Sequence, residues 1–135
     1  MANYKKIFMK HLDHMDVGYE ERDDYTLKTY YNGENLKTIP IIVYFDEDGD
    51  PMVQFKCWDI ANFKGKEGKG LVACNKINNE YRWIKFSIDE DADIVASCDA
   101  YIDIDTCADI CSQLALRMGS IIDDAYPEFA KAMWS

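Results

Sequence analysis

The sequence predicts an α+β fold, a single domain over residues 1–135 with an antiparallel five-stranded sheet and helices on one face of that sheet. Apolar residues recur at helical spacing near both ends of the chain. Between them lie segments of β-branched and aromatic residues, several of which alternate apolar with polar positions, and short turns rich in Asp, Asn and Gly join them. These observations give the element order α-βββ-α-ββ-α. A chain of 135 residues can bury such a core without disulfides or metals.

The first half of the chain is predicted to contain one helix and three strands. An apolar stripe at intervals of three and four residues indicates a helix over residues 3–17, which Gly18 is expected to end. The three strands are predicted over residues 25–31, 38–46 and 51–60. The turn pair Asn32-Gly33 follows the first of them, and the sequence "EDGD" joins the other two.

The second half is predicted to be a helix, two strands and a long helix. The middle helix begins within or just after the glycine–lysine segment Lys64–Gly70, ends near Asn79, and is expected to turn Leu71 inward. Strands follow over residues 80–89 and 94–103. The last helix begins near Thr106, and Tyr126-Pro127 is expected to interrupt it because the residue before a proline avoids the helical region.

Two acidic turns resemble the start of a calcium loop. They place aspartates at alternate positions, at Asp46, Asp48 and Asp50 and again at Asp89, Asp91 and Asp93. Both lack the glycine at position 6 and the glutamate at position 12 that such a loop requires. Short carboxylates that bond nearby amides suit a tight chain reversal. The sequence therefore predicts two hairpin tips and no metal site.

No motif in the sequence points to catalysis, so we predict a non-enzymatic protein with no catalytic residues and no cofactor. The five cysteines are predicted to be buried free thiols. The glycine–lysine segment lacks the lysine and hydroxyl that complete a nucleotide loop. Lys64, Lys66 and Lys69 leave a weak anion site as an alternative.

Aromatic and methionine side chains give the clearest candidate site. Met52, Trp58, Tyr81 and Trp83 are predicted to lie on the sheet face opposite the core positions. Exposed aromatics and methionine are typical of a protein-binding surface, although the middle helix or a second subunit could cover them instead. A homodimer would be consistent with either alternative.

Charge is distributed unevenly along the chain. The net charge is −10, and residues 1–85 carry 13 Lys/Arg and 14 Asp/Glu whereas residues 86–135 carry 2 and 11. Such a field repels nucleic acid and anionic lipid, so neither a nucleic acid nor a membrane is expected as a partner. The sequence contains no long apolar run and no signal-peptide pattern near its start, which gives a cytoplasmic location as the expectation.

The second half of the chain also resembles a known family. The segment "NKINNEYRWIKFSIDEDADIVASCDAYID", followed by a helix ending "DDAYPEFAKAMW", is similar to the YbjN-type proteins. The matching positions are Asn75, Asn78, Trp83, Lys85, Phe86, Asp89, Tyr126 and Pro127. The resemblance is best over residues 70–135, and it implies a fold like that of type III secretion chaperones and a role as a bacterial sensory transduction regulator.

Together these observations lead us to expect a protein- or peptide-binding module, chaperone-like or regulatory, that acts through an open sheet face and forms a homodimer. The alternative is a regulator that senses a small anion through Lys64–Gly70.

Overall fold

The structure is a computed structural model that describes residues 3–135. These residues form three helices and one antiparallel sheet of six strands in the order β1-β2-β3-β4-β6-β5. Along the chain the elements are α1 (Tyr4–His14), β1 (Tyr19–Asp23), β2 (Thr26–Tyr31), β3 (Ile39–Phe45), β4 (Met52–Cys57), α2 (Glu67–Glu80), β5 (Lys85–Ile88), β6 (Ile94–Tyr101) and α3 (Cys107–Met133). The α+β class and the antiparallel pairing are confirmed, whereas the prediction of five strands is wrong.

The additional strand is β1, at one edge of the sheet. Its sequence, "YEERD", is almost entirely charged, and none of its residues is buried. It pairs with β2, and Lys5 of α1 donates a hydrogen bond of 3.0 Å to Glu21. A short charged edge strand resists pairing with other chains. The same composition lacks the alternation of apolar and polar residues by which a strand is predicted from sequence.

All three helices contribute to a core on one side of the sheet, as predicted. Leu27, Val43 and Phe55 lie opposite one another on neighbouring strands and are buried. The helix α3 crosses β2, β3, β4 and β6, while α1 and α2 pack against it. The helices bring buried side chains to this core, among them Phe8, Ile77, Met118, Ile122 and Phe129.

The helix α3 continues through Pro127 to Met133, so the predicted interruption at Tyr126-Pro127 is wrong. Proline has no N–H to donate to the carbonyl oxygen four residues earlier, which belongs to Asp123. The side-chain Nδ2 of Asn35 donates to that oxygen at 3.0 Å and replaces the missing helical hydrogen bond.

The side chain of Asp123 fixes the loop between β2 and β3 to α3. Its two carboxylate oxygens accept hydrogen bonds from the backbone amides of Glu34, Asn35 and Leu36 at 3.1, 2.8 and 2.8 Å. We call this contact, with the Asn35 bond, the Asp123 anchor. These amides hold the pKa of Asp123 below its usual range.

The other edge of the sheet is partly capped by α2. Asn78 accepts a hydrogen bond from the backbone N–H of Phe86 at 2.8 Å and donates one to the carbonyl of the same residue at 3.0 Å. Its amide therefore occupies backbone groups of β5 that a further strand would use.

Several local predictions can be compared with the structure. The five cysteines are buried and free, as predicted. The helix α2 begins within the glycine–lysine segment as expected, but Leu71 points outward and is 57% exposed. The helix α1 ends at His14, followed by Asp16 in the left-handed region, so the predicted stop at Gly18 is wrong.

Gly119 of α3 packs directly against Tyr31 of β2. A Cβ atom there would lie 2.2 Å from Cγ of Tyr31. We expect Gly119→Ala to lower the free energy of unfolding by about 1–3 kcal/mol because of overpacking. Helix propensity alone would favour alanine by about 1 kcal/mol, so the sign separates the two effects. Urea unfolding measures the change.

Gly68→Ala is the matched control for Gly119→Ala. Gly68 lies in α2 and has nothing within 4 Å of a built Cβ atom. Alanine there should be neutral or stabilising by up to about 1 kcal/mol. Stabilisation by both substitutions would show that Tyr31 does not pack against α3 at Gly119.

The Asp123 anchor predicts a pH-dependent contribution to stability. Since the folded-state pKa of Asp123 is lowered, its contribution is fully present above the usual aspartate pKa of about 3.9. It is lost as the pH falls through the lowered value. We expect Asp123→Asn to reduce the urea midpoint at pH 7 and to differ less from the parent protein at pH 3.

Asp109→Asn provides the control, because Asp109 is exposed on the same helix and the substitution changes the charge equally. An equal effect of the two substitutions at pH 7 would contradict the anchor.

Candidate functional site

The sheet face that the helices leave uncovered, which we call the open face, is the candidate functional site. Cross-strand pairing defines its members. They are Glu20, Thr26, Lys28, Tyr30, Pro40, Ile42, Tyr44, Met52, Gln54, Lys56, Lys85, Ser87, Val95, Ser97, Asp99 and Tyr101. Ile42 and Val95 are buried but lie outside the main core, so their own neighbours on this face shield them.

Large side chains stand exposed on or beside the open face. Tyr101 is 79% exposed, and Met52, which pairs with it across the strands, is 40% exposed. Trp58 directly follows β4, is 43% exposed, and donates a hydrogen bond of 3.4 Å from its Nε1 to the hydroxyl of Tyr44. The expected placement of Met52 and Trp58 on the side away from the helices therefore agrees with the structure.

A groove of about 600 Å³ opens at one end of this face. Its open-face walls are Tyr44, Met52, Gln54, Asp99 and Tyr101, and the acidic tip after β3 closes one end. The groove has apolar walls with a few polar groups, and its volume falls within the range of roughly 300–1,000 Å³ that is usual for ligand pockets in proteins.

Three lysines lie in one cross-strand row of the open face. The register aligns Lys28 with Ile42, Ile42 with Lys56, Lys56 with Ser97, and Ser97 with Lys85. We call this line the lysine row. The row is not evident in the sequence because each lysine occupies an ordinary polar position of its strand, and only the register shows that the three share a line.

Tyr81 and Trp83 are not part of a strand, so the predicted strand face does not include them. The strand expected over residues 80–89 begins only at Lys85, so both precede it. Trp83 has a φ of 74°, which breaks the alternation that the sequence suggested, and it is exposed.

Tyr81 instead faces the helices. Its hydroxyl donates a hydrogen bond of 2.7 Å to Asp124 of α3. Burial and this hydrogen bond raise the pKa of Tyr81 to about 12. The side chain therefore ties the end of α2 to α3.

Two of the three lysines in the predicted anion site already have partners. Lys66 and Lys69 donate hydrogen bonds of 2.6 Å to the carbonyl oxygens of Met133 and Ser135. These bonds satisfy carbonyl groups at the end of α3, where a cation is also favoured by the helix dipole. Lys64 remains exposed.

The acidic turns are hairpin tips, as predicted. One carboxylate oxygen of Asp46 accepts hydrogen bonds from the backbone amides of Asp48 and Asp50, both at 3.0 Å. One oxygen of Asp89 accepts those of Asp91 and Asp93 at 2.9 and 3.0 Å. The first aspartate of each tip thus bonds the reversing backbone.

Among the residues that the structure describes, one group of carboxylates could hold a metal ion: Asp89, Asp91 and Asp93 offer oxygens within 4.8 Å of one another. Asn62 donates to the carboxylate of Asp93 at 2.7 Å. Asp59 lies beside this group. Its pKa is raised by a hydrogen bond with Asp93 and by the negative charge of Asp93.

No protein-family model matches the chain, and the search of curated proteins finds no match. Within residues 3–135 no helix combines the length and the apolar character that crossing a bilayer requires.

We expect millimolar calcium to leave the melting temperature nearly unchanged. Asp46 and Asp89 each use an oxygen to bond their own turns, and neither tip supplies the bidentate glutamate of a calcium loop. Differential scanning fluorimetry with and without chelator measures the effect. A rise of several degrees that Asp91→Asn abolishes would establish a site at the second tip.

Proposed function

We propose that this protein is a non-enzymatic binding module that engages a protein or peptide through its open face. The observation that carries the proposal is a sheet face with exposed Met52, Trp58 and Tyr101 that nothing else in residues 3–135 covers. Tyrosine, tryptophan and methionine are enriched at protein interfaces. The two aromatic side chains bury a large area with few rotatable bonds, and the flexible methionine adapts to the shape of a partner.

The face is a better binding surface than either edge of the sheet. One edge is the charged strand β1, whose pairing shifts register between Glu21 and Asp23. At the other edge, Asn78 bonds both backbone groups of Phe86. A partner that added a strand would meet charge at one edge and an occupied backbone at the other.

The resemblance to YbjN-type proteins supports the same proposal, since it implies a chaperone-like fold and a regulatory role. Formation of a homodimer is part of the proposal. The exposed pair Leu71 and Val72 on α2, 57% and 70% exposed, offers a contact that would leave the open face free.

The alternative is a regulator that senses a small anion through Lys64–Gly70. For this function Lys66 and Lys69 would have to leave the carbonyl groups of Met133 and Ser135. An anion would then bind at the cost of contacts that hold the end of α3, so binding and loosening of the C-terminal turn would be coupled.

We expect the double substitution Trp58→Ser and Tyr101→Ser to weaken peptide binding by roughly tenfold or more, because exposed aromatics dominate interface energetics. An array of peptides with sequences taken from unrelated proteins is screened first. The peptide that binds most strongly is then synthesised with a fluorophore and used as the probe. Fluorescence anisotropy measures the dissociation constant, and circular dichroism checks the fold.

The matched control is Leu116→Ser with Trp134→Ser, two exposed apolar side chains on and directly after α3, which packs on the other face of the sheet. Equal weakening by both pairs would count against the face. Failure of every peptide to bind, together with a saturable thermal shift by phosphate that Lys66→Ala abolishes, would favour the anion-sensing alternative.

A further inference from the structure

The lysine row crosses the open face from β2 to the edge strand β5. Lys28, Lys56 and Lys85 lie on the second, fourth and sixth strands of the sheet. Neighbouring strands lie about 4.8 Å apart, so successive lysines start about 10 Å apart along the row. Three cations in line are unexpected on a protein whose net charge is −10.

These lysines have no carboxylate partner within residues 3–135. The ion pairs closer than 4.0 Å there are Lys5–Glu21 and Lys76–Glu128. The Nζ atom of Lys28 instead lies 5.2 Å from the ring centre of Tyr30, and that of Lys56 lies 4.8 Å from the ring centre of Trp58. Each ring holds an ammonium group at the surface without neutralising its charge.

Acidic residues flank the row without filling it. Glu20 pairs with Lys28 at the β1 end, but its carboxylate accepts a hydrogen bond from the hydroxyl of Tyr30. Asp99 belongs to the neighbouring line of side chains and lines the groove. The row is therefore the part of the open face that attracts negative charge, while the groove end does not.

We propose that the partner of the open face is an acidic, extended segment of protein that runs along the lysine row. This inference rests on the proposed function and specifies the chemistry of its partner. A polyproline II helix repeats every three residues and rises about 3.1 Å per residue, so every third side chain recurs after about 9 Å on the same side. Carboxylates at every third position would meet successive lysines, and prolines between them would pack on the aromatic rings.

A nucleic acid is the less favoured occupant of the same row. Its phosphates would also meet the lysines, and its bases could stack on Tyr30 and Trp58. A polyanion extends beyond the row, however, and meets the repulsion of a molecule with a net charge of −10. A short segment with few charges meets less of that repulsion.

The test uses fluorescein-labelled peptides with four repeats of Glu-Pro-Pro or of Gln-Pro-Pro, and a 12-nucleotide oligothymidine. We expect the glutamate peptide to bind roughly tenfold or more tightly than the glutamine peptide at low salt, with the difference shrinking as salt rises. Replacing Lys28, Lys56 and Lys85 by glutamine should remove the preference. Replacing the exposed Lys10, Lys37 and Lys131 by glutamine changes the net charge equally and should leave it intact.

The other outcomes contradict either the acidic partner or the proposed function. Equal binding of both peptides that depends on Trp58 and Tyr101 would refute the acidic partner while keeping the proposed function. Equal losses in both lysine variants would make the effect one of overall charge. Tighter binding of oligothymidine would replace the peptide by a nucleic acid. If the array also gives no binder that depends on the face, the proposed function itself fails.

Discussion

The structure depends on one helix that covers one face of the sheet. The helix α3 has 27 residues and therefore spans about 40 Å, enough to cross four of the strands. Its buried stripe supplies Met118, Ile122 and Phe129 to the core, and α1 and α2 complete the same layer. Since all the helices of residues 3–135 lie on this side, the alternate side chains of every strand are left without cover.

The sequence predicts which face of each strand is covered better than it predicts how neighbouring strands are aligned. Alternation in Val53, Phe55 and Cys57 correctly identifies the covered side. The sequence of β2 or β4 alone does not reveal that Lys28 and Lys56 lie in one row, because that alignment depends on the geometry of the hairpins between the strands. Trp83 shows the opposite failure: alternation places it on a strand, but a left-handed φ of 74° moves the strand's start to Lys85.

Pro127 shows why a correct local rule can give a wrong element. Proline disfavours a continuous helix because a carbonyl group loses its donor. The donor here comes from Asn35, 88 positions away from Asp123 in sequence, and the carboxylate of Asp123 binds three amides of the same loop. A long-range contact thus compensates for a local cost, and no local pattern signals it.

A bound partner is affected both by the charged side chains that it touches and by the net charge of the whole molecule. At physiological salt, interactions between exposed charges are screened beyond about 8 Å, so a bound segment senses mainly the side chains it touches. On the open face these are Lys28, Lys56 and Lys85, although the chain as a whole is strongly acidic. A partner with a few carboxylates is attracted at contact, whereas a long polyanion meets acidic residues wherever it extends past the row. The net charge of the whole molecule therefore narrows the class of partner that the face can accept.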